Sequence, residues 1–583
     1  MQLRQLISSL TKPSISGGLD IPVTGLTADS RKVEPGFLFA AIRGTDSDGT
    51  QFIGSALEAG AGIILSETAP PADLAADITW IHVSNARLAL AHIASEFYGN
   101  PTGGMRIAGV TGTNGKTTTS YLLHFLLRHE FLRAGMIGTI KFDNGLEQRE
   151  ATHTTPGPIE TMELMGEMRD NGCKAVAMEV SSHALDQDRT AAINFDVAVF
   201  TNFTQDHLDY HGSMENYFQA KRRLFEQLKQ SSKKRPTAVI NIDDPKGQEL
   251  AKWCEEEGIK TLTYGYGVHV DVRGGGLLLT PKGAEFEINY KGKQFRVRTP
   301  LIGRYNVTNT LGALAAAIAL RLPLRDCVSA LADLPQVPGR LERVDTRRGK
   351  HVYIDYAHTP DALENVCSTL KNLDPNRLIT VFGCGGDRDR SKRPLMAAAA
   401  ERFSDFCIIT SDNPRTENPD AIINEVAKGM TGRKFAKVVD RTEALEAALR
   451  FAKPGDIVLV AGKGHEPYQE IDGVRHPFRD HSKIRGIMAR IEEDFKEQME
   501  EKMAARDAER RAEGFGDRPP RGDREERRDG DKDRVREFRE PHQPKERDPE
   551  EFKDKKNFSF RDEEPSPPKQ ADSTDLQQES DEV

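Results

Sequence analysis

Residues Gly109 to Ser120 read GVTGTNGKTTTS. The apolar run RIAGV leads into this stretch, and Leu122, Leu123, Phe125 and Leu126 follow it at helical spacing. No other feature limits the fold of this chain as strongly. A strand that empties through glycines into a helix lets backbone N–H groups approach phosphate oxygens, and the helix N-terminus adds positive potential. In that context Lys116 is expected to reach the β- and γ-phosphates of a nucleotide, and the Thr117 hydroxyl to hold Mg²⁺. The strict form of such a loop has glycine five residues before Gly115, where this chain has Val110. The loop is therefore a shorter variant, G-T-N-G-K-T-T, from Gly112 to Thr118. Its strand should lie inside a parallel sheet, so the chain should be of the α/β class.

The 583 residues predict about three domains at roughly 100–200 residues each. Residues 1–100 show short strands at Phe37–Ala41, Gly62–Leu65 and Trp80–Val83. Residues 101–336 open with the phosphate loop and continue with the strands KAVAMEV, DVAVF and TAVINI. Residues 337–495 show VYIDYAH, RLITVFG, DFCIIT and DIVLVAG with helical segments between them. The second and third blocks read as strand–helix repeats, hence parallel sheets covered by helices on both faces. Ile484, Ile487, Met488, Ile491 and Phe495 form the apolar stripe of a closing helix. From 496 to 583, charged residues of both signs and prolines displace the aliphatics, which reads as a disordered tail whose first turns stay helical.

The net charge of −9 gives no electrostatic reason to expect nucleic acid. Six scattered cysteines predict neither a disulfide framework nor a thiolate zinc site. No run approaches the roughly 18 apolar residues of a membrane span, and the N-terminus lacks the pattern of a cleaved leader. A cytoplasmic location is expected.

Open parallel sheets bind ligands beyond the C-terminal ends of their strands. AVAMEV runs into EVSSH, which puts Glu179 where a second Mg²⁺ ligand would sit. DVAVF runs into TNFTQDHLDYHG, which offers Asn202, Asp206, His207 and His211. A phosphate site favours a hard cation and oxygen ligands over zinc. Lys221, on the helix YFQAKRRLFE, is either a surface lysine or a phosphate counter-ion. The strand Phe406–Thr410 ends in SDNPRTENP, where a plain turn has no use for the planar fork of Arg415, a group suited to a carboxylate. GCGGDRD lacks the G-x-G-x-x-G spacing of a dinucleotide fingerprint, so Cys384 reads as a small residue in a tight loop. Met162, Met165 and Met168 read as helix packing.

Taken in order, GTNGKTT, EVSSH, TNFTQDHLDYHG, AKRRLFE, GRYNVTN, GRLE, DYAHTPD, GCGGDRDRSKRP, DNPRTENP and AGKGHE resemble the Mur ligases, a family of ATP-dependent amide-forming enzymes. The similarity runs from about residue 20 to about 490, and the charged tail lies outside it. It implies a small α/β uridine-binding domain, a central P-loop ATPase-like domain and a C-terminal Rossmann-like domain. The implied reaction adds meso-diaminopimelate to UDP-N-acetylmuramoyl-L-Ala-D-Glu through an acyl phosphate, in peptidoglycan precursor synthesis.

The resemblance implies that Gly112, Thr113, Asn114, Gly115, Lys116, Thr117 and Thr118 bind ATP, with Asn306 at the adenine and Arg340, Asp355 and His358 reaching in from the third domain. It implies one Mg²⁺ on Thr117 and Glu179 and a second served by His207 and Lys221, the lysine carried as a carbamate. Ser30, Thr45, Asp46 and Ser47 would cradle the uridine end, the last three replacing the family's usual His-Gln-Ala type of sequence. Thr154, Thr155, Ser181, Gln187 and Arg189 would hold the muramoyl-dipeptide. Arg388, Asp412, Asn413, Pro414, Arg415, Gly462 and Glu466 would form the diaminopimelate pocket. In the family DNPR marks enzymes that take meso-diaminopimelate. There Arg415 would grip the distal carboxylate, Asp412 and Glu466 would pair with the distal ammonium, and lysine would leave the guanidinium unpaired.

The competing readings are an L-lysine-adding or folylpolyglutamate-type ligase, disfavoured by Arg415, and a scaffold or RNA-binding protein on a retired core, disfavoured by Lys116, Glu179 and Lys221. The family suggests a monomer. The tail reads as a solubilising extension, with a tether to a protein partner as its alternative.

Overall fold

The computed structural model describes residues 1–44, 47–346 and 349–512. Three sheets carry the described chain, with a separate two-stranded hairpin. The first has five strands, in the order Ser14–Ser16, Thr79–His82, Ile63–Ser66, Phe37–Ala41 and Gly25–Thr27. Only Ser14–Ser16 runs antiparallel to its neighbour.

The second sheet is centred on the strand that feeds the phosphate loop. Arg106–Thr111 lies between Ala175–Glu179 and Val197–Phe200, all parallel, and in register Glu179 pairs with Val110 and Phe200 with Thr111. This register brings the ends of EVSSH and of TNFTQDH to the loop. The apolar runs of these three strands are buried on both faces, as a parallel interior requires.

The expected purely parallel sheet is extended at both edges by antiparallel strands, giving eleven in all. Val272–Thr280, Gly283–Tyr290 and Lys293–Thr299 form a meander on one side, and Lys141–Asp143 and Gln148–Glu150 a ribbon on the other. Gly283–Tyr290 and Lys293–Thr299 are partly exposed and interleave charged with apolar residues, so they lack the continuous apolar runs of the interior.

The third sheet has six strands, parallel except for Glu342–Val344 at one edge. Its centre is Ile457–Ala461, flanked by His351–Asp355 and Leu378–Phe382. The closing helix, Asp480–Ala512, packs Ile484, Ile487 and Met488 against Leu445, Leu449 and Val458. It does not stop at 495. Its charged continuation is rich in good helix formers and carries i,i+4 pairs such as Lys496–Glu500 at 3.9 Å. The tail beyond Ala512 lies outside the described residues. Met162, Met165 and Met168 are core residues, as expected, and Cys384 is buried.

Candidate active site

The loop needs its glycines. Gly112 and Gly115 have φ of 145° and 85°, and a Cβ at either would strike Thr201 Oγ1 at 1.9 Å or Asn309 Oδ1 at 2.2 Å. Asn202 braces the loop from the next strand: its Oδ1 accepts from Asn114 N at 2.9 Å and its Nδ2 donates to Asn114 O at 3.0 Å. The helix Lys116–Phe131 starts at the loop's end.

A carboxylate waits behind the loop. Glu179, 0% exposed, accepts from the Thr117 hydroxyl at 2.9 Å, from Thr139 N at 2.8 Å and from the Thr139 hydroxyl at 3.0 Å. Two ammonium groups flank it without an ion pair of their own among the described residues. Lys116 Nζ donates to the carbonyls of Gly112 and Thr113 at 3.0 and 2.8 Å, and Lys221 Nζ donates to the same Gly112 carbonyl at 2.8 Å. Lys221 also lies 4.2 Å from the centre of the Tyr217 ring. Burial pushes both lysines below their usual pKa, and Lys116 adds to the effect on Lys221. Asp206 and Glu179 oppose the shift at Lys116, Asp206 that at Lys221.

His207 has the left-handed φ of 52° and stands 3.5 Å from Asp206. Burial first, then neighbouring His183, Lys116 and Lys221, bring its pKa down to about 4, so the imidazole is neutral and has a lone pair to give. His211 is packed instead, with Nε2 3.0 Å from the Ser182 hydroxyl.

A cavity of about 680 Å³ opens over the loop. From the third sheet's region Arg340, Asp355 and His358 line it. Arg340 Nη2 donates to the Thr117 hydroxyl at 3.1 Å, and its Nε is buried without a partner. Asp355 accepts from the N–H groups of Leu341 and Ala357 at 2.7 and 2.9 Å, and burial pushes its pKa up to about 6. Asn306 is placed differently from the expectation. It is buried, donates to Ile302 O at 2.9 Å and accepts from Asn309 at 3.2 Å, while Tyr305, Thr308 and Asn309 line the cavity. One helix turn presents the latter residues and turns Asn306 inward.

Thr154, Thr155, Ser181 and Arg189 line the cavity's other end. Gln187 does not, but its Oε1 accepts from Arg189 at 3.1 and 2.7 Å and so aims that guanidinium. In the first sheet's region Ser30 opens a short turn and Ser47 O accepts from Gly44 N at 2.8 Å; neither lines the cavity. Thr45 and Asp46 lie outside the described residues.

The loop after Phe406–Ile409 adjoins this cavity through Tyr356, whose hydroxyl is 3.4 Å from Glu466. Here the structure adds partners within the protein that the sequence did not show. Arg415, at φ 52°, is already engaged: its Nη1 donates to Gly386 O at 2.7 Å and its Nε stands 3.6 Å from Glu470. Asp412 and Glu466 are not free to await an ammonium, because Lys463 supplies one. Its Nζ, in a side chain 0% exposed, lies 3.4 Å from Asp412, 2.8 Å from Asn413 and 3.2 Å from Glu466.

Asn413 also donates to Glu466 at 2.8 Å, and a Cβ at Gly462 would meet Asp412 at 2.5 Å. The carbonyl of Pro414 packs on Gly386, and Arg388 is exposed. The hairpin Tyr468–Pro477 covers the group: Gln469 donates to Asp412 O at 2.7 Å, and Arg415 N donates to Glu470 O at 3.0 Å. Beneath, Arg441 donates to Ala461 O at 3.0 Å and forms a fully buried pair with Asp480 at 2.7 Å. Lys463, Glu470 and Arg441 escaped the sequence reading. The lysine inside AGKGHE, between two glycines at a strand end, was the available signal.

A phosphate loop with a buried carboxylate, two ammonium groups and a neighbouring polar pocket defines an ATP-dependent ligase. Residues 22–98 match the Mur ligase family catalytic domain, 110–317 the Mur ligase middle domain, and 339–464 the Mur ligase glutamate ligase domain. The chain belongs to the Mur ligase family.

It is 42% identical over 513 residues to the UDP-N-acetylmuramoyl-L-alanyl-D-glutamate–2,6-diaminopimelate ligase of Geobacter metallireducens, covering 83% of this chain and 98% of the relative. The enzyme of that name from Syntrophomonas wolfei is 44% identical over 472 residues, covering 80% and 95%. A solved structure of such a ligase superposes with a TM-score of 0.62 at 34% identity, covering 84% of this chain and 99% of that one.

The family uses ATP with Mg²⁺, and the residues fit the ion. Thr117 and Glu179 offer a hydroxyl and a carboxylate at one point beside the loop, and Arg340 holds a positive charge against the same hydroxyl. No cluster of three His, Cys, Asp or Glu suited to a metal occurs among the described residues. Among the described residues no helix is long and apolar enough to cross a membrane.

Proposed function

We propose that this enzyme joins meso-diaminopimelate to UDP-N-acetylmuramoyl-L-Ala-D-Glu, in three domains bounded at residues 1–100, 101–336 and 337–495. The observation that carries the reading is the cation–carboxylate group of Arg415, Asp412, Lys463 and Glu466 one tyrosine away from the phosphate loop. The printed names of the relatives support the same substrates.

In this reading an oxygen of the terminal D-Glu side-chain carboxylate attacks the γ-phosphorus of ATP, and ADP leaves. Lys116 neutralises charge on the transferring group as that charge spreads over its oxygens. Thr117 and Glu179 would hold one Mg²⁺, and His207 with Lys221 as its carbamate a second, and the ions would supply further neutralisation. The amine of diaminopimelate then attacks the acyl carbon. Phosphate leaves with the C–O bonding pair, the nitrogen loses a proton, and an amide remains. Thr154, Thr155, Ser181 and Arg189 hold the muramoyl peptide so that its carboxylate meets the loop. Cavity walls from two sheets exclude water that would hydrolyse the acyl phosphate.

Lys221 is a fit candidate for carbamylation. A buried lysine with a depressed pKa spends more time as the free amine that CO₂ requires, and the carbamate turns an unmatched cation into an oxygen ligand. We assign the enzyme to the cytoplasm as a monomer.

The test is amino-acid-dependent phosphate release with ATP, Mg²⁺ and the UDP-muramoyl dipeptide. Wild type should prefer meso-diaminopimelate to L-lysine, and Arg415→Ala should lose about 10²-fold in kcat/KM for diaminopimelate, the upper range for one charge-assisted hydrogen bond. Turnover with lysine alone would refute the substrate assignment.

A further inference from the structure

Lys463 is not accounted for by the reaction above. It is a completely buried ammonium whose partners are three residues of the amino-acid pocket. Resting on the diaminopimelate reading, we infer that Lys463 is a specificity-determining residue: a resident ammonium fills the position between Asp412 and Glu466 that a lone substrate ammonium would otherwise take.

The two amino acids differ at the end that enters this pocket. Diaminopimelate presents an ammonium and a carboxylate, with no net charge. Lysine presents an ammonium alone. Every carboxylate of this pocket already faces a resident cation: Glu470 stands beside Arg415, and Asp412 and Glu466 both stand beside Lys463. Such a pocket suits a zwitterion better than a lone cation. Removing Lys463 makes the set one charge more negative and opens two carboxylates to an incoming cation, which favours lysine.

Arg415 cannot supply this discrimination alone. With no substrate present it already donates to Gly386 O and stands beside Glu470, so an empty carboxylate position does not leave it orphaned. A device that rejects the lone ammonium complements one that accepts the carboxylate. The three acceptors also hold Lys463 on the strand-end loop after Ile457–Ala461, which keeps Asp412 and Asn413 of the neighbouring loop in register with Glu466.

The experiment compares kcat/KM for meso-diaminopimelate and L-lysine in wild type, Lys463→Met, Lys463→Gln and Lys463→Arg, with KM for ATP and the melting temperature alongside. The two neutral variants should shift the ratio toward lysine by about tenfold or more, the scale of a lost charge-based discrimination, with KM for ATP unchanged. Lys463→Arg, which keeps the charge, should hold the wild-type ratio even where its rate falls. Glutamine retains hydrogen bonds to the same acceptors, so it reads the charge if the methionine variant fails to fold. Equal losses for both amino acids in the neutral variants, or a ratio that falls as far in Lys463→Arg, would overturn the inference and leave Lys463 a structural residue. A wild type that ignores diaminopimelate would instead sink the substrate reading itself.

Discussion

The phosphate loop and the amino-acid pocket treat buried cations in opposite ways. Around the loop, Lys116 and Lys221 share one backbone carbonyl, and both have depressed pKa values. In the pocket, Lys463 and Arg415 stand beside Asp412, Glu466 and Glu470, and Arg441 is matched by Asp480. The contrast follows the ligands. A loop that takes a polyanion is built with positive charge in excess, and its counter-charge arrives with the nucleotide. A pocket that takes a zwitterion is built with its cations and carboxylates already side by side. The first stores its electrostatic strain in the ligand-free protein; the second uses its charges to hold itself together.

The comparison can be broken by mutation. Lys116→Met should lower kcat by about 10³-fold, the upper range for one transition-state donor, while the free energy of unfolding stays level or rises, because an unmatched buried cation is gone. A large loss of stability in that variant, measured by denaturant unfolding without ligand, would contradict the strained-loop description. Arg441→Met should do the reverse. Removing one partner of a buried pair costs about 3–5 kcal/mol, so unfolding should shift strongly, whereas phosphate release at saturating substrate in the surviving folded protein should fall far less than for Lys116→Met.

A smaller effect probes the border between the two regions. His465 sits beside Tyr356 with Nδ1 lacking a partner, and burial, then Arg340, depresses its pKa to about 4. The unfolded imidazole binds its proton near its ordinary pKa of 6.5, so its contribution to stability is present above that pH and is lost as pH falls toward 4. By pH 5 the loss amounts to about 2 kcal/mol. His465→Gln should flatten that part of the stability–pH curve, and an unchanged curve would place the proton elsewhere.

What the sequence disclosed, and what it hid, divides along sequence separation. GTNGKTT, EVSSH and DNPR are local: each is a strand end whose residue types reveal its chemistry, and the parallel sheet brings the first two together by register. Contacts between distant segments stayed hidden. The bond from Arg340 to Thr117 spans 223 positions, and nothing in GRLE announces it. Lys463 was visible as a letter, but its role comes from loops that meet only in the fold. The antiparallel strands Gly283–Tyr290 and Lys293–Thr299 were missed because partly exposed strands with interleaved charges lack the apolar runs that marked the interior. Asn306 was expected at the adenine, yet the helix rotation that sets Asn309 and Thr308 on the cavity turns it away.

The pairing of Arg441 with Asp480 has a consequence for how this chain tolerates length. Asp480 is the first residue of the closing helix, and Arg441 carries its charge to the carbonyl of Ala461, the residue just before the Gly462-Lys463 turn. The helix therefore delivers its electrostatic contribution to the pocket with its opening residue, and its core side chains end within the next few turns, at Met488 and Ile491. Among the described residues, none of the helix from 492 to 512 lines the cavity over the phosphate loop. A cut placed before residue 480 would strip the floor from the pocket, whereas one placed within those last described turns would be silent there. The last core contact of the enzyme thus falls inside a continuous helix, where no loop marks it.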